Sequence, residues 1–126
     1  MSPFNPFAIL VLSRPKLTGL GEHWGVRLPD GRVAHCMPVI GVCISSFEDF
    51  SAGKDVVVRR EVSPALLSEV YRRLNVALFY PRPYDLLSWN CESFANWLTC
   101  GEPESAQVAG IGILFFLTLV VAGLSR

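Results

Sequence analysis

The chain has no excess of charge of either sign. Eleven Lys and Arg are balanced by eleven Asp and Glu over 126 residues. No global field therefore draws it to a polyanion, and nucleic acid is not an expected partner. Histidine is scarce, with His23 and His35 the only two. The four cysteines, Cys36, Cys43, Cys91 and Cys100, include no C-x-x-C pair and match no zinc spacing, so no metal is expected. No phosphate-cradling glycine loop is present, which leaves no nucleotide cofactor implied. The N-terminus lacks a basic leader region, and its apolar run Phe7–Leu12 is too short for the core of a secretory signal. Reduced thiols facing the cytosol are the expectation.

Hydrophobicity, in contrast, is abundant. Hydrophobic residues make up 51% of the chain, and the mean hydropathy is +0.38. Much of the excess lies in Val108–Leu124, "VAGIGILFFLTLVVAGL". Ala106–Leu124 contains no charge and as a helix would span about 28 Å, close to the hydrocarbon thickness of about 30 Å. A soluble core would have to surround such a helix on every side, and the rest of the chain is too small to do so. The expected organisation is a globular domain at 1–101, a linker at 102–105 and a single-pass C-terminal membrane anchor at 106–124.

Phe7–Leu12 reads as a buried strand. Glu22–Leu28 and Arg32–Met37 flank Pro29-Asp30-Gly31, a hairpin signal. Val39–Ile44 and Asp55–Arg59 read as further strands across a polar loop containing "SAGKD". The period then changes. Ser63-Pro64 starts a helix carrying Leu66, Leu67, Val70, Tyr71, Leu74 and Leu78. A second helix starts at Ser88 or Trp89, with Cys91, Phe94, Ala95 and Leu98 on one stripe and Gly101 as its C-terminal cap. Strands first and helices after predict an α+β domain with an antiparallel sheet and packed helices.

Cys91 falls at the start of the second helix, where the macrodipole favours a thiolate and should depress its pKa. The alternative is a small buried hydrophobe heading the stripe. Both histidines lie on the hairpin. With a three-residue loop and Gly31 left-handed, Leu28 pairs with Arg32, Gly25 with His35 and His23 with Met37, so the imidazoles share a face as diagonal neighbours. A two-residue turn would put them on opposite faces. Gly25 leaves space beside His35. Asn90 and Glu92 are candidate caps, and Glu92 would oppose a thiolate. Trp24, Trp89 and Trp97 suit a core or interface, and Arg59-Arg60 and Arg72-Arg73 suit solvated faces. A cysteine and two facing histidines have the parts of a Cys-His-His triad.

At these residues the chain resembles a known family. "EHWGVRLPDGRVAH" is similar to the His-Trp-Ala/Gly hairpin of lecithin:retinol acyltransferase-like proteins, a permuted branch of the NlpC-type papain-like superfamily. "YDLLSWNCESFANWLTCG" resembles their Asn-Cys-Glu-His-Phe signature, and a C-terminal hydrophobic anchor is common among them. The resemblance implies a circularly permuted papain-like fold over 1–101, with Cys91 as nucleophile, His23 as general base and His35 as the residue orienting it. Two positions depart. Ser93 stands where histidine is frequent, and Arg27 where an aromatic residue is usual, and both could alter the substrate.

The implied function is a membrane-anchored thiol acyltransferase or phospholipase. It would act on phospholipid at the bilayer through a cysteine thioester, with no cofactor. A cysteine peptidase or amidase and a non-catalytic membrane-attached module are the rival classes.

Overall fold

The computed structural model describes residues 8–102. Five strands form one antiparallel sheet: β1 (Ile9–Pro15), β2 (Glu22–Arg27), β3 (Val33–Met37), β4 (Gly41–Ser45) and β5 (Val57–Val62). Their order is β4-β3-β2-β1-β5, a four-strand meander whose first strand is flanked on its other side by β5. The helices are α1 (Phe47–Ser51), α2 (Leu67–Phe79) and α3 (Cys91–Cys100). The α+β class and the antiparallel sheet are as expected. Among the described residues no helix is long and apolar enough to cross a membrane. The expected anchor at 106–124, and all of the expected linker except Glu102, lie outside the described residues.

β1 is apolar from Ile9 to Leu12 because both of its faces are covered there. Ile9 and Val11 join Val26, Ala34 and Cys36 under Val70, Leu74, Phe94 and Leu98 of the two long helices. Leu10 and Leu12 point the other way and pack with Val33 and Phe50. α2 begins as expected: the Ser63 hydroxyl accepts from the Ala65 N–H, Pro64 follows, and a 3-10 turn leads into the helix. It buries Val70, Leu74 and Ala77, spaced i, i+4 and i+7. The helix ends before Pro81, which disfavours helical backbone at Tyr80.

Several boundaries differ from expectation. β1 runs on to Pro15 because its polar members find partners: Arg59 Nε donates to Ser13 Oγ at 2.6 Å, and Arg14 Nε to the Phe50 carbonyl at 2.6 Å. β5 extends to Val62. The supposed polar loop contains α1, whose cap Ser46 accepts from the Asp49 N–H and whose Phe50 is fully buried under the sheet. The arginine pairs are not simply solvated faces. Arg60 donates to Thr99 Oγ1 at 2.6 Å and Arg73 to the Leu98 carbonyl at 3.2 Å, while Arg72 lies outside with Glu69.

The hairpin resolves the register. Leu28 N–H donates to the Arg32 carbonyl at 2.8 Å, and Gly31 N–H to the Leu28 carbonyl at 2.9 Å, enclosing a three-residue loop. Gly31 has φ 90, a conformation that L side chains resist. Val26 pairs with Ala34 and Arg27 with Val33, which is the register that puts both histidines on one face.

Candidate active site

The site is assembled where the N-terminus of α3 meets the start of β2. Asn90 is the helix cap, so α3 begins later than Ser88 or Trp89. Asn90 Oδ1 accepts from the Ser93 N–H at 2.9 Å, and Ser93 Oγ accepts from the Asn90 N–H at 2.7 Å. This reciprocal box satisfies two donors that a helix start leaves open. Asn90 Nδ2 also donates to the Leu86 carbonyl at 2.9 Å, tying the preceding loop to the helix. Ser93 is thus buried and committed to the cap, which gives it a structural part rather than a face toward substrate. Arg27 sits at the far end of β2 from His23.

Cys91, the first residue of α3, is 1% exposed. Its thiol donates to the Glu22 carbonyl at 3.6 Å, and the Trp24 N–H is directed back at the sulfur. The cysteine therefore rests on backbone groups either side of His23. Imidazole follows imidazole from there: His23 Nε2 lies 2.8 Å from His35 Nδ1, and His35 Nε2 lies 2.8 Å from Ser45 Oγ and 3.5 Å from Cys43 Sγ. Cys91 and His23 line one cavity of about 400 Å³ together with Arg14, Lys16, Met37 and Tyr84. His35 is not on its wall and stands behind His23.

Phe50 holds the pair from beneath, with ring centroids 5.4 Å from His23 and 5.5 Å from His35. The space expected beside Gly25 is occupied by this ring. A Cβ on Gly25 would lie 2.6 Å from Phe50 and 2.6 Å from Val33, too close for any side chain. Of the tryptophans, Trp89 is buried against Phe94 and Trp97, while Trp24 and Trp97 pack on the core from its edge.

Burial governs the protonation states. It pulls His23 down to about 3, helped by the neighbouring His35, Arg14 and Lys16. His35 falls to about 4, again chiefly from burial and then from Arg14. Both imidazoles are neutral at pH 7. The Cys91 thiol is raised rather than depressed. Its desolvation outweighs the Trp24 N–H, the Lys16 charge and the Glu92 N–H, and the Glu92 carboxylate adds to the rise. The expected depression assumed a helix end open to water, and this one is covered. Cys36 is pushed up to about 12 by burial, as befits a packing thiol. Among the described residues no group of three or more His, Cys, Asp or Glu could hold a metal ion.

Phe50, Ser45 and Arg14 are the site residues that the sequence reading missed. A signal for Phe50 existed in Ser46-Phe47-Glu48-Asp49, a capping pattern ahead of a helical turn. Ser45 follows Cys43 by two in β4, and Cys43 pairs with His35, so period-two alternation places it on the histidine face.

The family model for lecithin retinol acyltransferase matches residues 8–104. Human lecithin retinol acyltransferase is 29% identical over 84% of this chain and 59% of its own length. The bovine protein of that name is 30% identical over 85% of this chain and 59% of its own. This chain therefore spans about three-fifths of the length of these relatives. Mouse phospholipase A and acyltransferase 3 is 28% identical over 97% of this chain and 91% of its own. With the hairpin and the cysteine helix both inside the matched region, this chain belongs to the lecithin retinol acyltransferase family.

Proposed function

We propose that this protein transfers or hydrolyses phospholipid acyl groups through a thioester on Cys91, with His23 as general base and His35 orienting it. The observation that carries the reading is the single cavity shared by Cys91 and a buried neutral His23, whose far nitrogen is held by His35. The relatives' names, an acyltransferase and a phospholipase A, supply the substrate class.

The mechanism follows from two neutral groups. With His35 donating from Nε2 to Ser45 Oγ, its Nδ1 accepts from His23 Nε2–H, which leaves His23 Nδ1 as the basic nitrogen. A buried imidazole that resists protonation and a thiol that resists ionisation do not form a resting ion pair. Proton transfer instead accompanies attack. The Cys91 sulfur bonds to the ester carbonyl carbon as His23 takes the thiol proton. The positive end of the α3 dipole, beside the sulfur, favours the charge developing on the carbonyl oxygen. Collapse breaks the ester C–O bond, and the departing lysophospholipid oxygen takes the proton from His23. Water, an amine or an alcohol then attacks the thioester, giving its proton through His23 to the returning sulfur. The unit 1–101 carries this chemistry, and the apolar stretch 106–124 anchors it in the membrane with the domain on the cytoplasmic side.

Mass spectrometry of the full chain after brief exposure to phosphatidylcholine tests the reading. The expected result is an acyl adduct on Cys91 that is lost in Cys91→Ser. Turnover undiminished in that variant overturns the covalent mechanism. Adducts with peptide substrates and none with phospholipid would favour an amidase.

A further inference from the structure

The strand meander brings two connections to the same end of the sheet. β1 turns into β2 through residues 16–21, and β3 into β4 through 38–40, while the β2–β3 loop lies at the opposite end. His23, the second residue of β2, and Cys91 open at the first of these ends. Both connections expose large aliphatic tips: Leu17 is 69% exposed, Leu20 80%, Val39 103% and Ile40 67%. Leu17 and Leu20 line the cavity of Cys91. Val39 and Ile40 line an adjoining one of about 390 Å³, and Tyr84 is a wall of both. Single exposed aliphatic residues are ordinary, but four of them on two loops at one end of the sheet, bordering two adjoining cavities, form a patch that marks an interaction surface.

Val39 adds a second, independent observation. Ile40 N–H donates to the Pro38 carbonyl at 2.7 Å, a three-residue turn centred on Val39, whose φ is 70. Left-handed backbone is strained at a β-branched residue, and glycine or asparagine would make the turn without that cost. The side chain stands wholly in solvent, so no contact within the described fold offsets that cost. Among the described residues Arg14, Lys16 and Arg82 line the two cavities, and no carboxylate does.

We infer that this end of the molecule docks on a phospholipid bilayer, with Leu17, Leu20, Val39 and Ile40 entering the acyl boundary and Lys16 and Arg82 at the phosphates. The inference deepens the proposed function and rests on it in taking the cavity as a lipid site. A bilayer fits better than a protein partner, because a protein seated on a rim would close the cavity it encircles. Lipid beneath the rim can pass from the bilayer into it. Two copies meeting rim to rim would bring their cations together. Insertion of apolar tips with cations at headgroup level is how a surface without a spanning helix holds to lipid.

The test uses the full chain in vesicles of phosphatidylcholine and phosphatidylserine. The apolar stretch 106–124 could hold the chain to vesicles by itself, so the readout is local depth rather than bulk binding. In a Cys91→Ser background, Val39→Trp is compared with Pro29→Trp on the opposite-end loop. The emission added by Val39→Trp should be quenched by acyl-brominated phosphatidylcholine, and that added by Pro29→Trp should not. With Cys91 restored, Ile40→Asp should lower turnover on vesicle phospholipid about tenfold, as expected for withholding one aliphatic side chain from lipid. Val39→Gly removes the same kind of contact but relieves the backbone, so its vesicle turnover should fall while its melting temperature does not. An unquenched Val39→Trp overturns the docking. So does quenching that grows with protein concentration alongside a shift to dimers, which would make the rim a contact between copies. Absence of an acyl adduct in the parent chain, with Val39→Trp still quenched, would instead overturn the catalytic reading alone.

Discussion

At the scale of single residues, the site is defined by groups kept neutral. A cysteine paired with an imidazolium reacts with alkylating agents well below its ordinary pKa, whereas Cys91 is raised by burial. Alkylation by iodoacetamide, followed at Cys91 by peptide mass spectrometry, should therefore be slow at pH 7 and climb through the alkaline range. A rate already flat from pH 6 upward would show a resting thiolate. The histidines differ in what can replace them. His23 lines the cavity with Cys91, while His35 stands behind it and acts through it. Under the proposed mechanism His23→Ala should cost about 100-fold or more in turnover, the general-base contribution. His35→Ala should cost less, since water can take over part of an orienting hydrogen bond. Steady-state rates across pH for both variants check this, and a larger loss at His35 would reverse the assigned roles.

At the scale of elements, the start of α3 and the short helix α1 do work that neither shows in isolation. Asn90 closes the capping box and also grips the Leu86 carbonyl, so it sets where Cys91 sits on β2. Asn90→Ala should destabilise the fold by about 1 kcal/mol and lower turnover more than that loss of folded protein explains. Chemical denaturation combined with rates normalised to folded protein separates the two effects. Phe50 is the only α1 residue that is buried, and both imidazoles lie on its ring. Phe50→Ala should cost about 3–5 kcal/mol through the cavity it leaves. Phe50→Leu, which keeps most of the volume, should retain more stability yet still loosen the histidine pair. Glu92 is buried beside the thiol and raises it, which is the opposition anticipated for a carboxylate in that first turn.

For the whole molecule, the two histidines link stability to pH. Both titrate near 6.5 when unfolded and at about 3 and 4 when folded. Below pH 6.5 the unfolded chain therefore binds protons that the folded chain refuses. Their contribution is complete above that value and is lost as pH falls toward 4 and then 3. Melting temperature should decline over this interval, and His23→Gln should make the decline shallower. An unchanged slope in that variant would mean that carboxylates carry the acid dependence. Truncation after Glu104 tests the proposed division of the chain. The remaining domain should sediment with membranes far less than the full chain, held only by its apolar loop tips, act on a soluble short-chain ester and lose most activity on bilayer phospholipid. Unfolding on truncation would indicate that the apolar stretch packs as part of the core.

How much of this was legible in advance depends on the distance over which each force acts. The turn at Pro29-Asp30-Gly31, the start at Ser63-Pro64, the cap at Gly101 and the stripe from Cys91 to Leu98 are written in neighbouring residues, and local hydrogen bonds and sterics decide them. The sequence by itself thus determined the strands and the two long helices that follow them, but not α1 between β4 and β5, and it narrowed the histidine question to a choice of loop length. The hydrogen bonds around Leu28 and Gly31 made that choice. What only the tertiary structure decided are the quantities summed over residues remote in sequence. Phe50 reaches the histidines from a segment read as loop, and Ser45 ends the chain of polar contacts from a neighbouring strand. Arg14 and Ser13 prolong β1 because partners 36 and 46 residues away meet them. The Cys91 thiol moved opposite to expectation for the same reason. A helix terminus is visible in sequence, but the burial that outweighs its dipole comes from every element packed around it.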